Sequence, residues 1–187
     1  MKKKTRQIPT AQSLAKSALH YLERYAASEA SLRRVLMNRI RRAAMDNPTF
    51  ASDAKSQEEL RSAIEIILVR HKKTGILNDA TFAEVKINSL RRQGRSTRAI
   101  QQKLAAKGVP RSIISSALEQ HADGAPPEEI EFAAAQALAR RRKLGPFRQK
   151  PADENSNHKD FAVLARAGFS SSIARRVLKA HSEDEWD

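Results

Sequence analysis

The side chains able to do chemistry in this chain are overwhelmingly cationic. Arg33-Arg34, Arg39 and Arg41-Arg42 fall on one predicted helix, and Arg70, Lys72 and Lys73 close the next. Arg91, Arg92, Arg95 and Arg98 surround Gly94, and Arg140-Arg141-Arg142-Lys143 end a later helix. Each run covers more than one helical face, so some members must meet solvent or a partner. The chemistry on offer is ion pairing: the planar guanidinium fork matches phosphate and carboxylate alike. The competing reading is structural, because cations near a helix C-terminus stabilise the macrodipole by about 0.3–1 kcal/mol each. The first contact candidates are Arg91, Arg92, Arg95, Arg98, Arg140, Arg141 and Arg142. Arg33 and Arg34 follow, with Arg70, Lys72 and Lys73 behind them.

Little else points to chemistry. The chain has no Cys, so a thiolate metal site, a cysteine nucleophile and a disulfide framework are excluded. It carries neither a Gly-x-x-x-x-Gly-Lys-Ser/Thr nor a Gly-x-Gly-x-x-Gly phosphate loop. The five His are scattered. His20 and Glu23 share a helix face as half a metal site with no second half, and His71 and His121 stand near helix C-termini. Asp79 has a sufficient structural reason beside an expected N-cap. No enzyme, cofactor or metal is expected. With 35 Lys and Arg against 21 Asp and Glu, the net charge is +14, and the partner is a polyanion or an acidic protein surface. No run approaches the roughly 20 apolar residues of a membrane span. Met1-Lys2-Lys3-Lys4 leads into no apolar stretch, so the cytosol is the expected compartment.

The elements that must position these cations read as helices throughout. Leu14, Ala18 and Leu22; Leu32, Leu36 and Ile40; Leu60, Ile64 and Ile67 recur at helical spacing, and the pattern continues to Ile173 and Val177. No segment sustains period-two alternation. Every Gly falls where a periodic run ends, as a left-handed C-cap requires, and no Pro interrupts a run. Ser28, Asn78, Ser96 and Ser170 stand at expected N-caps. Residues 45–57 and 144–157 are polar, contain Pro and lack periodicity, so they read as linkers. A basic arm is expected over 1–9 and an acidic tail over 183–187. The last six residues hold four acids and no base, which leaves +18 on residues 1–181.

Shifted by 60 positions, Leu104-Ala105-x-x-Gly108 lies on Leu164-Ala165-x-x-Gly168, and Ser112-Ile113 on Ser172-Ile173. Shifted by 68, Leu14-Ala15 lies on Phe82-Ala83, Ser28 on Ser96, Leu32 on Ile100 and Leu36 on Leu104. The expected architecture is all-α: an elongated array of three tandem three-helix repeats, near 10–75 (with insertion 45–57), 76–124 and 125–182 (with insertion 144–157). Such arrays present a binding surface more often than a single catalytic pocket.

Gly75-Ile76-Leu77-Asn78-Asp79-x-x-Phe82-Ala83 resembles a signature of the bacterial RecX family. Arg92-x-Gly94-x-Ser96 and Ile100-x-x-x-Leu104-x-x-Lys107-Gly108-Val109 continue that resemblance. Leu22-x-Arg24, Ser28-Glu29-x-x-Leu32-x-x-x-Leu36, Ala167-Gly168-Phe169 and Ile173 are similar to its flanking segments. The likeness spans roughly residues 11–181 and is strongest in the middle repeat. One departure is Asn78, which replaces the first Asp of the family's pair; as an N-cap it is equivalent, with one charge fewer.

The resemblance implies a regulator that binds the RecA–DNA filament as a monomer. It implies that the chain restrains, mainly by inhibition, the recombinase, ATPase and co-protease activities of RecA in DNA repair and the SOS response. Single- and double-stranded DNA would be bound without sequence preference. The helix pair Ser96–Lys107 and Pro110–Gln120 has helix-turn-helix spacing, but its second helix starts with one Arg and few base-reading side chains. The rival reading is a non-specific nucleic-acid-binding protein that never touches RecA.

Overall fold

The computed structural model describes residues 7–149 and 155–179. The acidic tail, most of the basic arm and the centre of the second linker lie outside the described residues. Among those residues there are helices and no strands. The α-helices are α1 (Ala11–Arg24), α2 (Glu29–Asp46), α3 (Pro48–Ser52), α4 (Ala54–Lys73) and α5 (Asp79–Arg92). They continue with α6 (Thr97–Ala106), α7 (Arg111–Ala122), α8 (Pro127–Arg142), α9 (Ser156–Arg166) and α10 (Ser171–Lys179), with a 3-10 turn at Gly145–Phe147.

The helix starts follow from their caps. Thr10 and Ser13 form a reciprocal capping box at α1, the Thr10 hydroxyl accepting from the Ser13 N–H at 3.1 Å. Ser28, Asn78, Ser96 and Ser170 each accept from an amide of the helix that follows, as their types require. Pro110, Pro126 and Pro127 open α7 and α8, where a missing amide hydrogen costs nothing.

The chain divides into two compact units. The first comprises residues 1–82 with 107–109, and the second 83–106 with 110–187. In the first unit, Leu14 and Ala18 of α1, Leu32, Leu36 and Ile40 of α2, and Ile64 and Leu68 of α4 close one apolar core. In the second, Ala134, Ala135, Leu138 and Ala139 of α8 join Leu164, Phe169, Ile173, Ala174 and Val177. The alanines on α8 let neighbouring backbones come close, which suits a core poor in aromatics.

The described parts of the stretches expected as linkers are more ordered than composition suggests. Within 45–57, α2 runs on to Asp46, Pro48 opens α3, and α4 begins at Ala54, capped by Asp53. Phe50 is 3% exposed and pins α3 to the first core. One buried aromatic anchors a single turn, and five residues are too few to show a period. In the second stretch, Leu144 is buried, and the 3-10 turn is held by Asp160. That carboxylate is 4% exposed; it accepts from the Gly145 N–H at 2.7 Å and pairs with Arg148.

Candidate nucleic-acid interface

The cationic runs separate into two kinds once their partners are known. Arg33 is spent on carboxylates: its Nε and Nη2 reach both oxygens of Glu65 at 2.8 and 2.7 Å, and Nη2 also reaches Glu29 at 2.8 Å. Lys72 Nζ meets the other Glu29 oxygen at 2.8 Å. The Lys72 ammonium, aided by Arg33, holds the Glu29 carboxyl below its usual range against the opposing effect of burial. Arg33 does the same to Glu65, and Glu65 in turn pushes the Arg33 guanidinium upward. This four-membered network ties α2 to α4 within the first unit.

Arg91 is likewise structural, contrary to its place among the contact candidates. Its side chain is only 12% exposed. It donates to Glu131 at 3.0 Å, to the Arg95 carbonyl at 3.2 Å and to the Thr97 hydroxyl. The Glu131 carboxylate also accepts from the Thr97 N–H at 2.7 Å, so one acid joins α8 to the start of α6 and the end of α5. Spacing alone could not expose this pairing, because the partner lies 40 residues away.

Arg34, Arg70, Lys73, Arg92, Arg98, Arg141 and Arg142 are exposed and make no ion pair among the described residues. Arg140 is exposed and sits over the Phe147 ring, 5.1 Å from its centre. These cations remain available to a partner.

Within the second unit, Arg95, Arg142 and Arg166 line one cleft of about 270 Å³ with Leu138, Val163 and Ala167. Among the described residues no carboxylate lines it. Arg95 follows the α5 turn, Arg142 ends α8 and Arg166 ends α9, so three helix C-termini deliver the three guanidinium groups. The Arg95 Nε is buried with no hydrogen-bond partner among the described residues. Arg166 donates its Nε to the Ala162 carbonyl at 3.1 Å, which leaves its outer nitrogens unpartnered among the described residues. Guanidinium donors left without partners among the described residues suit an oxyanion such as a phosphate. Arg166 stands alone in sequence, outside every basic run.

Other sequence candidates resolve to structural roles or stay isolated. Asp79 caps, but it caps α2: its Oδ1 accepts from the Glu29 N–H at 2.8 Å, while Asn78 serves α5. His20 and Glu23 are 4.0 Å apart, both largely exposed. Among the described residues no group of three or more potential ligands could hold a metal ion, and no helix is long and apolar enough to cross a membrane. The α6–α7 pair has helix-turn-helix spacing, and α7 opens on Arg111 alone.

The family profile described as RecX, second three-helix domain, matches residues 78–118, which is α5, α6 and most of α7. The regulatory protein RecX of Myxococcus xanthus is 41% identical over 169 residues, covering 90% of this chain and 85% of that protein. This chain belongs to the RecX family. The RecX of Agrobacterium fabrum is 30% identical over 182 residues, covering 96% and 90% of the two chains. Two solved RecX structures share the fold. A crystal structure of regulatory protein RecX aligns with a TM-score of 0.61 at 22% identity, covering 91% of this chain and 72% of that one. RecX from Lactobacillus salivarius gives 0.60 at 18% identity, covering 90% and 94%. The relatives carry the name of a regulatory protein, so this RecX chain is a regulator and not an enzyme. The residues carrying the sequence resemblance have defined places in the fold: Asn78 caps α5, Ser96 caps α6, and Gly108 and Gly168 take the left-handed backbone after α6 and α9.

Proposed function

We propose that this RecX chain acts as a monomer in the cytoplasm, binding the RecA–DNA filament and restraining strand exchange, ATP hydrolysis and co-protease function. The observation that carries this reading is the cleft of Arg95, Arg142 and Arg166, which no carboxylate lines among the described residues. The wider set of cations that make no ion pair among the described residues (Arg34, Arg70, Lys73, Arg92, Arg98 and Arg141) supports it, while Arg33 and Arg91 are neutralised internally. A protein-coated DNA filament offers both phosphates and carboxylates, and guanidinium groups pair with either. The action is anchoring: nothing in the cleft supplies a nucleophile or a general base. Because each phosphate contact releases counterions, affinity should fall steeply with salt.

The test is the rate of ATP hydrolysis by RecA on single-stranded DNA. The wild-type chain at excess should slow it, and the triple change Arg95→Gln, Arg142→Gln and Arg166→Gln should restore most of it. An unchanged rate at excess protein and low salt rejects the regulator reading. Capture of RecA filaments that disappears whenever naked DNA competes favours a nucleic-acid-binding protein without RecA contact.

A further inference from the structure

We propose that the cleft between α1 and α2 is a second binding site, one that stacks an unpaired nucleobase of single-stranded nucleic acid. The cleft lies wholly in the first unit and measures about 350 Å³, within the size range of small-ligand sites. Lys16, His20, Tyr21 and Arg24 line one wall from successive turns of α1. Val35 and Arg39, one turn apart, form the other from α2. Tyr25, just after α1, also lines it.

Three observations point to a base and its phosphate. First, both tyrosines of the chain stand here, and their rings lie 5.3 Å apart at 43°. Tyr21 packs on the core edge, while Tyr25 is 57% exposed and leans on Tyr21, with its ring open to solvent. The Tyr25 backbone is extended, and its N–H is fixed on the Tyr21 carbonyl at 3.0 Å, so the ring is carried on a held C-cap. Second, Lys16, Arg24 and Arg39 are exposed and make no ion pair among the described residues. Third, no carboxylate lines the cleft among the described residues. Glu23, the one acid of α1, is beside His20 outside it.

An aromatic face flanked by unpaired cations is the arrangement that single-strand binders use: cations follow the backbone while bases stack. Charge complementarity commits the occupant to a polyanion, and the open ring selects one with unpaired bases. A duplex hides its base faces, and an acidic peptide has none to stack.

The site does not depend on RecA, so its test omits RecA. Binding of the full chain to fluorescein-labelled oligo-dT is compared with binding to an abasic strand of equal length and charge, by fluorescence anisotropy. Wild type should prefer oligo-dT. Tyr25→Ala should weaken oligo-dT binding by about 5- to 100-fold and leave the abasic strand within twofold. Tyr25→Phe should keep the preference. Arg24→Gln with Arg39→Gln should weaken both strands and flatten the salt dependence by about two phosphate contacts. Equal binding of the two strands by wild type, or equal loss on both in Tyr25→Ala, overturns the stacking site. Filament regulation can fail while the dT preference persists, and the reverse holds equally, so the two readings fall separately.

Discussion

Replacing Arg91 by Ala should destabilise the protein far more than it weakens binding to a polyanion. The side chain is 12% exposed and Glu131 is 21% exposed, so the pair is shielded from solvent on most sides. Arg91 donates to a carboxylate, a carbonyl and a hydroxyl. A hydrogen bond to a charged acceptor contributes about 1.5–3 kcal/mol and a neutral one about 1 kcal/mol. Breaking a fully buried pair from one side costs about 3–5 kcal/mol. Partial exposure places the loss near the lower end, about 3 kcal/mol. In a chain of this length each kcal/mol moves the melting temperature by about 2–4 °C, so Arg91→Ala should lower it by about 6–12 °C in a calorimetric scan. Arg92→Ala, one residue along and exposed, should move it by less than about 2 °C. The Arg91→Ala and Glu131→Gln changes should also be non-additive, because they break the same contact. A melting temperature for Arg91→Ala within 2 °C of wild type refutes the structural role.

Further outcomes follow from other contacts of the fold. Gly94 has φ +68°, and a Cβ there would sit 2.5 Å from the Leu138 nitrogen and 2.8 Å from the Ala134 oxygen. Gly94→Ala should therefore cost about 2–5 kcal/mol in urea unfolding. Gly75→Ala, with φ +73° and nothing within 4 Å, should cost about 1–2 kcal/mol. Ser96→Ala removes a fully buried hydroxyl that caps Ala99 and donates to the Ala167 carbonyl at 2.8 Å, so it should cost about 1–3 kcal/mol by the same measurement. Glu29 and Glu65 have depressed carboxyl values, so the stability they contribute is complete above the ordinary glutamate value of 4.5 and is lost as pH falls through their folded values. Unfolding followed by circular dichroism should accordingly show acid loss below about pH 4.5. Glu29→Gln should flatten that loss.

The sequence carried most of the fold because its local signals agreed with one another. Apolar spacing placed the helices, and hydroxyl or amide side chains at Ser28, Asn78, Ser96 and Ser170 marked starts that the backbone confirms. What it hid was of two kinds. Phe50 and Asp160 organise stretches that read as linkers, since one buried side chain in a polar segment leaves no periodic trace. The site was partly hidden because charge runs say nothing of distant partners. Arg91 and Arg33 look like their neighbours until Glu131 and Glu65 are found beside them. Conversely, Arg95 and Arg166 are 71 positions apart, and only folding brings them to one cleft. The Tyr21–Tyr25 spacing of one helical turn was the single available trace of the aromatic cleft.

The same contacts also decide where an anion cannot bind. A helix N-terminus with free amides is a ready anion site, yet those of α2 and α6 are already closed. At α2, Ser28 accepts from the Ser31 N–H and donates to the Lys107 carbonyl at 2.6 Å, while Asp79 takes the Glu29 N–H. At α6, Ser96 accepts from the Ala99 N–H and donates to the Ala167 carbonyl, while Glu131 takes the Thr97 N–H. The device is the same in each unit: one hydroxyl, one carboxylate, and a carbonyl just before Gly108 or Gly168. Both glycines are needed because a Cβ would meet Ala30 at 2.3 Å or the Ser96 hydroxyl at 2.6 Å. A carboxylate fixed over each of these two helix starts neutralises its positive end and repels an incoming phosphate. The guanidinium groups of the proposed cleft, Arg95, Arg142 and Arg166, come instead from the opposite ends of helices α5, α8 and α9, away from these closed starts.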